Sequence, residues 1–476
     1  MIFHQRAARA FYYALALSLL FSELPAFAQV SSNLPVAADA KVTGSLGHTD
    51  DSRSEPPART VLSPTIANYF DPLQGSSSID LVRRALASNG ELAAARIDIE
   101  RARARRQQAG LRPNPTLDFE QTTGRFTGAA GETERSIGVA VPIELGGKRR
   151  RRLELAQAEL EAAEAAVADR ERTLSAEVRS NYAEALAALR ELEITEHLDN
   201  LDQQTTRFVQ ARVSEGETAP IELNLLMVEV DRLRSRRALV EGGLRSGLIR
   251  LKNIAGIPPG EPLRLREDLA TPMMPLPPAS MDAAEDIAMR SRPDLRLARL
   301  NEEVAQAGYK LARSEGVPNV TAFSKYTVGQ AVFDDTPVGV LVDRDKLLSF
   351  GVSVDIPVFN RNQGAIAEFA AAITQARTRR EFLESVVRSE VQSAYARYEA
   401  ARAAVLTFEQ GVIARSNDNL RVIRSAYELG QFTITDLINE QRRLVDSQRD
   451  FTEALAEQYR ALADLQAALG IPANKQ

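Results

Sequence analysis

The sequence predicts a mainly α-helical chain with a small β part, built as two tandem copies of one unit, and three observations carry that expectation. The first is that the same patterns are written twice, and an internal repeat governs the reading of a whole fold. Gly216-Glu217-Thr218-Ala219-Pro220-Ile221-Glu222-Leu223 answers to Gly430-Gln431-Phe432-Thr433-Ile434-Thr435-Asp436-Leu437, and Ala255-Gly256-Ile257-Pro258 recurs as Leu469-Gly470-Ile471-Pro472. Upstream, Ser136-Ile137-Gly138-Val139-Ala140-Val141 answers to Ser349-Phe350-Gly351-Val352-Ser353-Val354, and Glu177-Val178-Arg179-Ser180-Asn181-Tyr182 to Glu390-Val391-Gln392-Ser393-Ala394-Tyr395. The second is a run in each copy almost free of glycine and proline; at roughly 65 residues it would make a helix of about 100 Å. The third is a pair of short stretches in each copy that alternate in character, the period of a strand.

Taken in order, the chain opens with Arg6 and Arg9 ahead of an apolar run over residues 11–21, then Ala26-Phe27-Ala28. That is the pattern of a signal peptide with its small-x-small cleavage site, expected over residues 1–28. The apolar run is too short to span a bilayer as a helix. Residues 29–75, rich in Ser, Pro, Ala and Asp, read as a flexible, loosely attached stretch. The first unit, 76–270, begins with a helix over about 78–109 that ends at Pro113 and Pro115. A Pro-rich connector, 271–280, leads to the second unit, 281–476, whose first helix runs over about 281–314 and ends before Pro318. Proline lacks the amide proton that a helix interior requires.

The strands come next. Leu117 and Phe119 alternate with Thr116, Asp118 and Glu120. Beyond a glycine-rich loop at 124–131, Ile137, Val139 and Val141 alternate with Ser136, Gly138 and Ala140. In the second copy Phe350, Val352 and Val354 alternate with Ser349, Gly351, Ser353 and Asp355. One apolar and one small or polar face suits a strand with lipid or core on one side and water on the other. Four strands cannot close a barrel of useful size.

The long helical runs come after them, over 148–215 and 365–429, the second interrupted only by Gly411. Leu153, Ala156, Leu160, Ala163 and Val167 recur at steps of three and four, as do Ile366, Phe369, Ile373 and Ala376. Glu and Arg fill the remaining faces, the composition of a solvated coiled coil. Each run stops at a glycine, Gly216 or Gly430, expected to take a left-handed cap. A return helix then runs to Gly256 or Gly470, so each unit ends in an antiparallel helical hairpin.

Composition excludes several chemistries. The chain has no cysteine, which removes disulfides, thiolate metal sites and a cysteine nucleophile. The formal charge of −5 leaves no nucleic-acid footprint. Only three histidines occur, and His197 stands alone in a helix, where a surface or packing role is expected rather than metal ligation. No serine–histidine–acid grouping and no His-x-x-x-His spacing is present, so neither an enzyme nor a bound cofactor or metal is expected. Met273 and Met274 are read as loop packing. The bases 148–152 open a helix where the dipole disfavours them. They read as a solvated belt below the strands, with contact to leaflet phosphates as the alternative.

Helix, two strands, very long helix, glycine turn and return helix, all twice, resembles the TolC-like outer-membrane efflux family from about residue 76 onward. Val141-Pro142-Ile143-Glu144-Leu145-Gly146-Gly147-Lys148-Arg149 and Ile356-Pro357-Val358-Phe359-Asn360-Arg361-Asn362-Gln363-Gly364 resemble its heavy-metal, CzcC-like branch. The resemblance implies a homotrimer: a twelve-stranded barrel in outer-membrane lipid, continued by a periplasmic helical tunnel. It also implies a passive exit duct reached through a periplasmic adaptor and driven by an inner-membrane resistance-nodulation-division pump, with divalent metal cations as the substrate. A drug-efflux or type I secretion duct is the alternative within the family. A soluble periplasmic coiled-coil adaptor is the alternative outside it, but that would need a single hairpin flanked by larger β domains.

In the family, glycine turns form the tips that meet the adaptor, which assigns that role to Gly216 and Gly430. Carboxylates just beyond narrow the entrance, and Glu222 and Asp436 stand at the same offset beyond the two glycines. Tyr427 matches a tyrosine that ties neighbouring hairpins in the closed state. Asn439 and Phe432 depart from positions where some members carry an aspartate and an arginine, so a sparser bond network is implied. Three Asp436 side chains converging in a pore would raise each other's pKa and attract cations. Alternatively, Glu222 and Asp436 support helix N-termini through the macrodipole.

Overall fold

The structure, a computed structural model, describes residues 63–126, 131–270, 274–333, 339 and 341–471. The signal peptide expected at 1–28, the stretch 29–62, part of the glycine-rich loop and Met273 lie outside the described residues.

The first unit opens with α1 (Ser78–Ser88) and α2 (Gly90–Ala109), and the second with α5 (Met281–Ser291) and α6 (Pro293–Glu315). The single opening helices expected at 78–109 and 281–314 are thus each broken in two, for local reasons. Asn89 is extended (ψ 126°), and its side chain accepts from the Leu92 amide at 3.0 Å, capping α2. Arg292 is extended too (ψ 124°), as the residue before Pro293 must be. Its buried guanidinium is held by Asp294 at 2.6 Å and Glu390 at 2.7 Å.

Each pair of opening helices leads into two strands: β1 (Thr116–Thr123) and β2 (Thr133–Ile143), then β3 (Val320–Phe333) and β4 (Leu341–Val354). All four form one antiparallel sheet in the order β1-β2-β3-β4. The β2–β3 pairing, with Ile143 opposite Val320 and Thr133 opposite Gln330, joins the two repeats into one sheet. Strands β1 and β4 are its edges.

The first hairpin is α3 (Lys148–Ser214), 67 residues without a break, and α4 (Pro220–Ile254). The second is α7 (Gln363–Thr407), a π-helical turn at Phe408–Val412, α8 (Ile413–Glu428) and α9 (Ile434–Leu469). The uninterrupted helix expected over 365–429 therefore contains a π segment, and Gly411 lies within it. Its cause is legible in the repeat. Tyr182 answers to Tyr395 above the segment and Gly216 to Gly430 below it, so the second copy holds one residue more between these points. A π turn absorbs one inserted residue without rotating the rest of the helix off its packing face.

The core sits at the waist, where both hairpins, α1 and α5 meet. Leu81, Val178, Tyr182, Leu251, Leu265 and Leu465 are all fully enclosed there. Met274 is buried in the same cluster. The loose attachment expected over 29–75 does not extend through residues 63–75. Ile66 is buried, the Tyr69 hydroxyl donates to Glu241 at 2.8 Å, and the Asp71 amide donates to the Leu265 carbonyl at 2.8 Å. Gly75 packs so tightly that a Cβ would lie 2.4 Å from the Asp71 carbonyl oxygen.

Candidate functional site: the two-faced sheet and the hairpin tips

Strand register sorts the side chains of the sheet into two faces. Directly paired residues share a face, and successive residues along a strand alternate. One face carries the rows Ile143–Val320–Val354, Val141–Ala322–Val352, Leu117–Val139–Ser324–Phe350 and Phe119–Ile137–Tyr326–Leu348. Its apolar side chains lie open: Leu117 is 72% exposed, Phe119 71%, Phe350 74% and Val352 64%. The other face carries Asp118–Gly138–Lys325–Ser349, Glu120–Ser136–Thr327–Leu347 and Thr122–Glu134–Gly329–Asp345, with Asp343 beyond. Lys325 bonds Glu120 there at 2.9 Å, and five carboxylates share this face with one amine. Val139, Val141, Val352 and Val354 thus fall on the apolar face, and Gly138, Ser349 and Ser353 on the other. Among the described residues no helix is long and apolar enough to cross a membrane.

At the foot of the sheet the five bases 148–152 are all engaged. Lys148 donates to Asn319 at 2.7 Å, Arg149 to the Gly110 carbonyl at 2.6 Å, Arg150 and Arg151 to Glu154, and Arg152 to Glu144 at 2.9 Å.

The tips lie at the opposite ends of the hairpins. Gly216 (φ +80°) and Gly430 (φ +73°) take the left-handed conformation, and a Cβ at either position would meet no neighbour within 4 Å. The Glu217 amide reaches back to the Arg212 carbonyl at 2.9 Å and the Gln431 amide to the Ala426 carbonyl at 2.9 Å, so both turns are Schellman caps. Beneath them Val209, Leu226, Leu420, Tyr427, Ile434 and Leu437 form a small core shared by the two hairpins.

The structure brings Tyr427 and Glu222 together and leaves Asp436 apart. Glu222 lies in the first turn of α4, whose N-cap Ala219 offers no side-chain oxygen. Tyr427, a residue only 4% exposed, donates its hydroxyl proton to Glu222 at 3.3 Å. Burial pushes this phenol up to about 12, and the negative charge of Glu222 adds to the shift. Asp436 closes a capping box: it accepts from the Thr433 hydroxyl at 2.7 Å and amide at 3.0 Å, while its own amide returns to that hydroxyl at 3.3 Å. The Thr433 hydroxyl holds the Asp436 carboxyl below its ordinary range. Within one chain, helix-end support therefore describes Asp436. Asn439 and Phe432 are both exposed.

Sequence reasoning missed a buried carboxylate in the shaft above the tips. Asp202 on α3 is 2% exposed and accepts from Gln441 Nε2 at 2.7 Å. Burial pushes its carboxyl up to about 6, the charges of Glu229 and Asp199 add to this, and Gln441 opposes it. Glu229 is itself buried and paired with Arg442 at 2.6 Å. The signal was present: Asp202 falls between Leu198 and Val209 on the apolar stripe of α3, where a charge is out of place.

Comparison with known proteins agrees with this architecture. The chain is 24% identical over 397 residues to the cobalt-zinc-cadmium resistance protein CzcC of Cupriavidus metallidurans, covering 81% of this chain and 88% of that protein. It is 23% identical to the nickel-cobalt-cadmium resistance protein NccC of Alcaligenes xylosoxydans xylosoxydans over 63% of this chain and 65% of that one. The crystal structure of CusC superposes with a TM-score of 0.69 at 19% identity, covering 83% of this chain and 92% of that one. The sequence profile of the outer membrane efflux proteins matches residues 81–257 and 286–471, one stretch in each repeat. With most of both repeats matched and the same fold found in a solved channel, the chain belongs to the outer membrane efflux protein family.

Proposed function

We propose that three copies of this chain close a twelve-stranded barrel in the outer membrane, with the hairpins as a periplasmic tunnel, and that the assembly is the exit duct of a tripartite efflux system for divalent metal cations. The observation that carries this reading is the sheet: one largely apolar face open to the surroundings, and two unpaired edges. Such a sheet satisfies its edge amides and carbonyls in lipid only by closing with further strands, and four strands are too few to close alone. The metal assignment draws on the names of the relatives CzcC and NccC. It is supported by the polar face, where Asp118, Glu120, Glu134, Asp343 and Asp345 outnumber Lys325 and would line the lumen.

In this reading the duct is passive. An inner-membrane pump supplies the energy and a periplasmic adaptor meets the tips at Gly216 and Gly430. Tyr427 and Glu222 hold the two hairpins of one chain together at the entrance, and Asp436 adds a ring of three carboxylates. Fractionation tests the location: heat-modifiable trimers in the outer-membrane fraction support the reading, and recovery in the periplasmic wash overturns it. Deleting the gene in its host tests the cargo. Lost tolerance to cobalt, zinc or cadmium with drug tolerance retained is expected; the reverse pattern would assign a drug duct.

A further inference from the structure

Past its four apolar rows the apolar face of the sheet turns basic before it ends at the pair Val332–Val342. Beyond the row Phe119–Ile137–Tyr326–Leu348 comes Gln121–Arg135–Val328–Lys346, and then Thr123–Thr133–Gln330–Arg344. Three cations therefore stand on the lipid-side face, in the two rows before that last pair and toward the end of the sheet away from the helices, and among the described residues no carboxylate shares that face with them. Arg135, Arg344 and Lys346 are exposed and have no ion-pair or hydrogen-bond partner among the described residues. The contrast with the foot of the sheet is sharp, since there each of the bases 148–152 is satisfied within the chain.

We propose that Arg135, Arg344 and Lys346 form a docking surface for the phosphate headgroups of the lipid leaflet at the far end of the barrel. This rests on the membrane reading given above. The four apolar rows span roughly 20 Å along the strand, close to the ~25 Å apolar band of outer-membrane barrels. The cations begin one row later, at headgroup depth, with Tyr326 in the adjacent row where an aromatic belt is placed. Arg135 and Lys346 lie two strands apart, about 10 Å, and Arg344 about 7 Å further along β4. That spacing suits a headgroup bearing phosphomonoesters rather than a single chelated ion. A neighbouring copy would not neutralise them, because the outward positions of its β1 are Leu117, Phe119, Gln121 and Thr123. Unpaired guanidinium groups beside hydrocarbon gain from an anionic surface and from snorkelling toward it.

The test uses the full chain, purified as trimers in neutral detergent and titrated with phosphatidic acid, phosphatidylcholine or inorganic phosphate, with bound lipid read by native mass spectrometry. Each basic residue near an anionic surface is worth about fivefold in binding, so R135Q/R344Q/K346Q is expected to bind phosphatidic acid about a hundredfold more weakly. Phosphatidylcholine binding should stay unchanged. The triple R83Q/R101Q/R421Q removes the same charge from helix surfaces, and should bind phosphatidic acid like the wild type. Equal binding by wild type and the sheet variant, or equal losses in both triples, would overturn the proposal. So would displacement of the lipid by millimolar inorganic phosphate, which would mark a free-anion site. If the sheet triple fails to assemble, the three single variants decide, each expected to lose about fivefold. A wild-type chain that forms no heat-modifiable trimer would instead defeat the membrane reading itself.

Discussion

Tyr427 and Glu222 meet at the small core that the two hairpins of a chain share near their tips, and their roles separate by chemistry. Tyr427→Phe removes a hydrogen bond worth about 1 kcal/mol and no charge. Under the proposed gate it should raise conductance through the purified channel while leaving cation preference intact. Asp436→Asn removes a charge but keeps an acceptor for the Thr433 cap, so cation preference and block by multivalent cations should weaken with little effect on folding. Unchanged conductance and selectivity in both would leave these as ordinary helix-end residues. Asp202 makes a different kind of prediction. Its carboxyl is raised to about 6 in the folded chain from an ordinary value of 3.8, so the folded state binds the proton more tightly than the unfolded one. Stability from this group is then lost as pH rises from about 4 through about 6, by on the order of 2–3 kcal/mol in all, about half of it above pH 5. Asp202→Asn should flatten that component: heat dissociation of the wild type should become easier from pH 5 to pH 8, and that of the variant much less so. Parallel pH profiles would refute it.

At the scale of elements, the strand faces and tip turns were legible because each is a local pattern with a physical cause. Alternation fixes which face Val139 and Val352 occupy, and only glycine sits easily at φ near +80°. Arg at Val139, Val141, Val352 or Val354 should therefore cost roughly 2–4 kcal/mol near the membrane midplane, against a milder effect at Gly138, Ser349 or Ser353. Thermal dissociation of reconstituted trimers would measure it, and equal damage on both faces would sink the barrel assignment. The features that escaped the sequence were set by contacts distant along the chain. The anchoring of residues 63–75 depends on Leu265 and Glu241 and the buried carboxyl of Asp202 on Gln441, whereas the break at Arg292 has its local cause in Pro293. The π turn was half legible, since the one-residue difference between the repeats is visible while its location is not. Deleting Gly411 should convert that turn to α-helix and leave Leu420 and Tyr427 in the tip core. Deleting Arg421 instead should swing everything after it by about 100° off its packing face. Trimer assembly in the first deletion and loss in the second is the expected result; the opposite order would show that the π segment is not the absorber.

At the scale of the whole molecule, the proposed barrel pairs the edges β1 and β4 between copies, and the absence of cysteine offers a clean way to test that pairing. The chain contains none, so any disulfide reports only on residues placed there. Within one sheet Leu117 and Phe350 lie on the same row but at opposite edges, three strand spacings apart, about 14 Å. Two cysteines are bridged only when their Cα atoms come within about 7 Å. A pair at Leu117 and one of Lys346, Leu348, Phe350, Val352 or Val354 can therefore bond only between copies. If three sheets close into one barrel, some member of this series should give a covalent trimer under mild oxidation, running as one band without reducing agent. No larger species should form, because a closed ring leaves no free edge. The series moves in steps of two so that both sulfurs stay on the outward face, and its best member would fix the register between copies. A ladder running past the trimer would mean open edge-to-edge association, and no bond anywhere in the series would mean that β1 and β4 do not meet.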